Sequence, residues 1–167
     1  HYIPELKWTD LIAELEASGS IEGVTQSAEQ SDAGTLEGQL DKINALFAGE
    51  RLGDILTLLK TDGSDFAAEA LKKTSRNSPL SMACTVEIMH RLRGPSLTLE
   101  KALDLEYRFT FRAMEHGDFL EGIRAAIIDK DRTPQWQYAD QDVPLAAVSK
   151  MLQPLGPGAL KLQETTP

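Results

Sequence analysis

The apolar residues of this chain recur at spacings of three and four, and no sustained two-residue alternation bounded by turns interrupts them. Residues so spaced gather on one side only when the backbone is helical, so the pattern predicts an all-α fold. Trp8, Leu11, Ile12 and Leu15 line one face of a first helix, about Glu5 to Ala17, which stops near Ser18 and Gly19. The polar stretch from Ser20 to Gly34 predicts a short helix and then a loop. From Thr35 the period resumes as a helical hairpin. Leu36, Leu40, Ile43 and Phe47 share one face, Leu52, Ile55, Leu56 and Leu59 another, with Gly49 between.

Capping residues mark the later helices. Ser64, after the turn at Asp62 and Gly63, is placed to cap a helix carrying Phe66, Ala70 and Leu71. Ser78 followed by Pro79 is a cap with a first-turn proline, and Met82, Val86 and Met89 fall on one side until Gly94 and Pro95 end the run. Thr98 caps a helix striped by Leu99, Leu103, Tyr107 and Met114, which Gly117 terminates. Asp118 then caps a further helix whose Glu121 can reach back as a capping box, with Phe119, Ile123, Ala126 and Ile127 on its buried face. A short helix from Pro144 to Leu152 precedes a tail punctuated by Pro and Gly.

At 167 residues, with 41% hydrophobic and 26% charged residues, the chain is long enough to bury a real core. A net charge of −9 argues against a nucleic-acid partner, because phosphate neutralisation needs a clustered excess of Lys and Arg. No apolar run approaches the roughly 18 residues that span a bilayer, so no membrane partner is expected. A single cysteine cannot form an internal disulfide, which fits a reducing, cytoplasmic interior. The chain opens on His1 rather than Met, as a processed or cut polypeptide would.

Little in the sequence promises chemistry. His1, His90 and His116 are far apart and none has the spacing of a helical metal pair, so no metal site is assigned. Cys84 sits among Met82, Ala83 and Val86, where inert packing is favoured over a nucleophilic role. Glu121 is the best-placed acid or base, although the helix cap already accounts for it. The cations are more informative. Arg108 and Arg112 stand one turn apart, and Arg124, Lys130 and Arg132 follow on the last capped helix and its exit. An acidic chain that binds a polyanion must gather its few cations locally, while pairing with Glu106, Glu121, Asp129 and Asp131 is the structural alternative.

The stretch EYRFTFRAMEHGDFLEGIRAAIIDKDRTPQW, Glu106 to Trp136, resembles the C-terminal signature of the 3-hydroxyisobutyryl-CoA hydrolases, a branch of the enoyl-CoA hydratase (crotonase) superfamily. The likeness extends back through NSPLSMACTVEIM, DGSDFAAEALKK, LDKINALFAG and HYIPE, so it covers residues 1 to about 137. The shorter DFxEGIRA pattern is shared across crotonases, and the stretch ending IIDKDRTPQW is specific to the hydrolase branch. The resemblance implies the helical C-terminal region of a crotonase-type enzyme, all-α, whose ββα spiral core is absent from this chain. It further implies a coenzyme A thioester as substrate, no covalently bound cofactor, the missing N-terminal crotonase core as a partner, and a homo-oligomer.

No residue matches a catalytic position of that family, so none is assigned. Lys130 and Arg132, at the charged exit of the signature helix, are the expected contacts to the coenzyme A phosphates. Residues 1–75 are expected to join the core to the lid, 76–137 to form the signature helices, and 138–167 a short helix and tail. The expected function is the C-terminal portion of an acyl-CoA thioester hydrolase of valine catabolism, inactive alone. The C-terminal portion of an enoyl-CoA hydratase or isomerase, and a non-catalytic helical interaction module, are the alternatives.

Overall fold

The computed structural model describes residues 1–31, 34, 36–138 and 142–162. They divide into two compact units, His1–Ile43 and Asn44–Pro167.

In the first unit, a 3-10 turn at Glu5–Lys7 leads into α1 (Trp8–Ser18), which ends where Gly19 takes a left-handed φ of 65° and its N–H donates to the Leu15 carbonyl. Glycine suits that position because it has no Cβ to clash. Of the expected face only Leu11 is buried, while Trp8 and Ile12 stay half exposed. A short α2 (Glu22–Ser27) follows. The Glu29 N–H then donates to the Tyr2 carbonyl at 2.9 Å, closing an antiparallel bridge that Lys7 and Glu29 flank with an ion pair. That bridge is a local pairing and adds no strand to the helical elements. It was invisible to periodicity because a one-residue pairing leaves no alternating pattern. The loop expected to end at Gly34 lies partly outside the described residues, as do Thr35 and the end of the tail.

Helix α3 (Leu40–Leu46) reaches the second unit, where α4 (Leu52–Asp62), α5 (Asp65–Thr74), α6 (Pro79–Arg91), α7 (Leu99–His116), α8 (Phe119–Ile123) and α9 (Leu145–Leu152) follow. The expected caps at Ser64, Ser78 and Thr98 are in place: each hydroxyl accepts the amide three residues on, at 3.1 to 3.2 Å. The expected face Leu36, Leu40, Ile43 and Phe47 is not the buried one. Leu46 is buried instead, beside Ile55, Leu59 and Ala67.

Helix α6 stands between two apolar clusters. Val86 packs on the cluster built from Leu46, Ile55, Leu59 and Ala67, whereas Leu80 and Cys84 join Val148, Met151 and Leu152 of α9, with Phe109 of α7 against them. Each fully buried Leu or Met there contributes about 2 kcal/mol by leaving water. Cys84 is packed in the core as its neighbours suggested, and burial pushes its thiol up to about 12, so it stays protonated at neutral pH.

What fastens α9 is electrostatic. Arg112 is 9% exposed, and its guanidinium donates to the carbonyls of Met151 (3.1 Å), Gln153 (2.7 Å) and Pro154 (3.2 Å). Arg108 donates to the Leu152 carbonyl at 3.2 Å. The Met151 and Leu152 carbonyls end α9 without helical partners and carry its partial negative charge, and those of Gln153 and Pro154 follow directly. Arg108 and Arg112 satisfy both needs, with Arg91 also reaching the Leu152 carbonyl at 3.4 Å. The pair read from sequence as a cationic cluster thus serves a helix end, and Arg108 is further held in an ion pair with Asp104 one turn before it.

Candidate functional site

The site is built from the α7–α8 junction and the segment that leaves α8. Gly117 joins the helices in extended backbone, and a Cβ placed there would meet the Ala113 carbonyl oxygen at 2.8 Å. Asp118 follows, 5% exposed, and its role differs from the expected one. Its side chain does not cap α8; it accepts from the Ser78 hydroxyl at 2.6 Å and from the Gln137 N–H at 3.0 Å. The carboxylate therefore ties the start of α6 to the segment beyond Trp136.

Glu121 does not close a capping box either. Its carboxylate receives Arg124 Nε at 2.9 Å and Nη2 at 2.8 Å, and the Gln135 N–H at 2.6 Å. Hydrogen bonding from Arg124, then from Gln135, holds the Glu121 carboxyl down at about 2, so it is ionised at neutral pH and unsuited to donate a proton. Arg124 Nη1 also donates to Asp129 (2.6 Å) and Asp131 (2.7 Å), and Nη2 to the Thr133 carbonyl (3.2 Å). The same guanidinium holds the Asp131 carboxyl below its usual range.

The backbone here is unusual. Helix α8 passes into a π-helical turn, Arg124–Ile128, closed by the Asp129 N–H on the Arg124 carbonyl at 2.8 Å. Lys130 and Arg132 both lie at a left-handed φ of 56°, a conformation that costs a residue with a Cβ about 1–2 kcal/mol. The alternating sequence Asp129-Lys130-Asp131-Arg132 is sorted by this winding. Both acids turn to Arg124, while neither Lys130 nor Arg132 has an ion pair or side-chain hydrogen bond among the described residues.

Two cavities adjoin across Trp136 and Gly122. One, of about 290 Å³, is chiefly apolar, with Phe109, Phe119, Ile123 and Ile127 around the buried Ser78 and Asp118. The other, of about 800 Å³, is lined by Arg76 and Arg132 with Ala125, Ala126 and Pro134. The structure thus brings Arg132 to a cavity, leaves Lys130 outside its lining, and adds Arg76, which sequence reasoning missed. Arg76 is likewise unpaired among the described residues. The signal was available: no acidic residue lies three or four positions from Arg76, so no helical ion pair could absorb its charge. Among the described residues, no group of three His, Cys, Asp or Glu could hold a metal ion, and no helix is long and apolar enough to cross a membrane.

Comparison with known proteins places this geometry. The sequence pattern of the enoyl-CoA hydratase/isomerase family matches residues 1–152. The mitochondrial 3-hydroxyisobutyryl-CoA hydrolase of Rattus norvegicus is 37% identical over 96% of this chain and 44% of its own length. Thus the chain spans less than half of that relative. A solved enoyl-CoA hydratase of Rhodobacter sphaeroides superposes with a TM-score of 0.86 at 48% identity, over 96% of this chain and 46% of the other. A carnitinyl-CoA dehydratase of Mycobacterium thermoresistibile gives 0.81 at 26% identity, over 94% and 45%.

These superpositions correct the expected fold class. The expected separate all-α class is replaced by a part of the crotonase fold, since nearly the whole chain follows crotonase-fold enzymes over somewhat less than half of their length. Helical period reports local elements, whereas class belongs to the architecture those elements are part of.

Proposed function

The chain belongs to the enoyl-CoA hydratase/isomerase family, and from that membership we propose that it forms the C-terminal helical portion of an acyl-CoA thioester hydrolase acting on a 3-hydroxyacyl thioester of valine breakdown. The observation that carries this reading is the pairing of two cavities across Trp136, one apolar and one bearing Arg76 and Arg132 without acidic partners. A coenzyme A thioester has matching parts, with phosphates that suit the arginine-lined cavity and a pantetheine arm with a short acyl group leading away from them. Arg132, with Lys130 at the exit of the same helix, takes the phosphates. Binding is the contribution of this portion, and chemistry is not. Among the described residues the one buried hydroxyl–carboxylate pair, Ser78 and Asp118, is spent on joining helices. In this proposal the oxyanion donors lie outside this portion; loss of a single one typically costs about 3–4 kcal/mol of transition-state stabilisation, so the portion is inert alone.

The test uses the complete hydrolase. Replacing both Lys130 and Arg132 with Ala raises KM for 3-hydroxyisobutyryl-CoA at least about fivefold with kcat little changed, because only binding is removed. An unchanged KM contradicts the assignment. The 48% identity to a chain called an enoyl-CoA hydratase favours a second reading, hydration of an enoyl thioester. Faster turnover of crotonyl-CoA than of 3-hydroxyisobutyryl-CoA would decide for it. The intact protein is a homo-oligomer in this proposal. Exposed Leu99 and Leu103, one turn apart on α7, support that, since apolar surface of this kind is normally covered. Its compartment is a reducing interior, cytoplasmic by the sequence reading, although the rat relative is named mitochondrial.

A further inference from the structure

We infer that Arg124 is a positioning residue: its guanidinium is the template around which residues 129–135 wind, and this winding presents Arg132 to the cavity it shares with Arg76. The inference rests on the reading of that cavity as a phosphate site and adds to it the residue that builds it.

A guanidinium has five N–H donors in a rigid plane, and here all five are engaged. Nε and one Nη2 hydrogen go to Glu121, the other Nη2 hydrogen to the Thr133 carbonyl, and the two on Nη1 to Asp129 and Asp131. Three backbone N–H groups then donate along the same path: Asp129 to the Arg124 carbonyl (2.8 Å), Arg132 to the Ala125 carbonyl (3.0 Å), and Gln135 to the Glu121 carboxylate (2.6 Å). Two left-handed residues with side chains persist only where the surroundings over-determine them, and Arg124 is the group touching both acids that flank Lys130. With the acids drawn inward, the alternating cations are left outward and unpaired. Without Arg124, Asp129 and Asp131 would be free to pair with Lys130 and Arg132, and the cationic cavity would lose its charge.

Lysine cannot replace this template, because one ammonium offers three donors from a point rather than a planar fork. Amide hydrogen exchange and pyrophosphate binding, measured on the complete protein with Arg124→Gln, Arg124→Lys and Arg132→Gln, test the inference. Both Arg124 variants should speed exchange at the Asp129, Arg132 and Gln135 amides about tenfold or more, with α6 and α7 unchanged. Both should weaken pyrophosphate binding as much as Arg132→Gln does, and Arg124→Gln added to Arg132→Gln should cause no further loss. Exchange at those three amides that stays at the unsubstituted rate, or losses that add, overturns it. If Arg132→Gln leaves pyrophosphate binding intact, the phosphate-site reading fails, and the exchange rates alone decide whether Arg124 sets the path.

Discussion

Two arginines twelve positions apart in sequence do opposite work with the same group. Arg112 is buried and meets only neutral carbonyls at the end of α9, whereas Arg124 is 31% exposed and meets three carboxylates and one carbonyl. In the first case the guanidinium has left water, and its compensation is the helix end it closes. In the second, water already screens the charges, so little global stability is at stake and the gain is a defined loop path. Burial, rather than the number of hydrogen bonds, separates an arginine that holds the fold from one that shapes a site.

The contrast can be broken at its strong end first. Arg112→Leu leaves three carbonyls at the end of α9 without donors, and should cost about 3 kcal/mol, seen as a thermal midpoint lower by about 6–12 °C. A midpoint within 2 °C of the unsubstituted chain would place Arg112 in the same class as Arg124. Ser78→Ala removes both the cap of α6 and the donor to buried Asp118, and should cost about 2 kcal/mol in denaturant unfolding. The weakest effect is on the Arg124 loop and depends on pH. Because the Glu121 and Asp131 carboxyls are held below their ordinary values, their contribution is complete above about pH 4.5. It is lost as pH falls toward about 2, the value that Glu121 takes in the folded chain. Exchange at the Gln135 amide should accordingly stay slow at pH 4.5 and accelerate, beyond the intrinsic rate, as pH approaches 2. Loss of protection already at pH 4.5 would show that these carboxylates do not hold the loop.

Elements governed by neighbours in sequence were legible in advance. Ser64, Ser78 and Thr98 each cap a helix three residues ahead, and that reach is written in the local order of residues. Asp118 and Glu121 carry the same spacing but fail as a capping box, because stronger partners reach them from elsewhere. Ser78 lies forty positions before Asp118, and Gln135 fourteen after Glu121. Arg108 and Arg112 were likewise read as a cationic cluster while the carbonyls they serve sit about forty positions on. Of the candidate site, Arg132 was legible as a cation at a helix exit. Its release from pairing was not, since it depends on the left-handed winding that turns Asp129 and Asp131 away.

Direct binding of coenzyme A to the 167-residue chain, followed by Trp136 fluorescence in a Trp8→Phe background, tests the central claim that unpaired arginines beside an apolar cavity make this segment a thioester-binding surface. Coenzyme A should alter the Trp136 emission in a saturable way, and replacing both Arg76 and Arg132 with Gln should weaken that binding at least about tenfold. Saturable binding that survives the double replacement unchanged, or no binding at all, would contradict it.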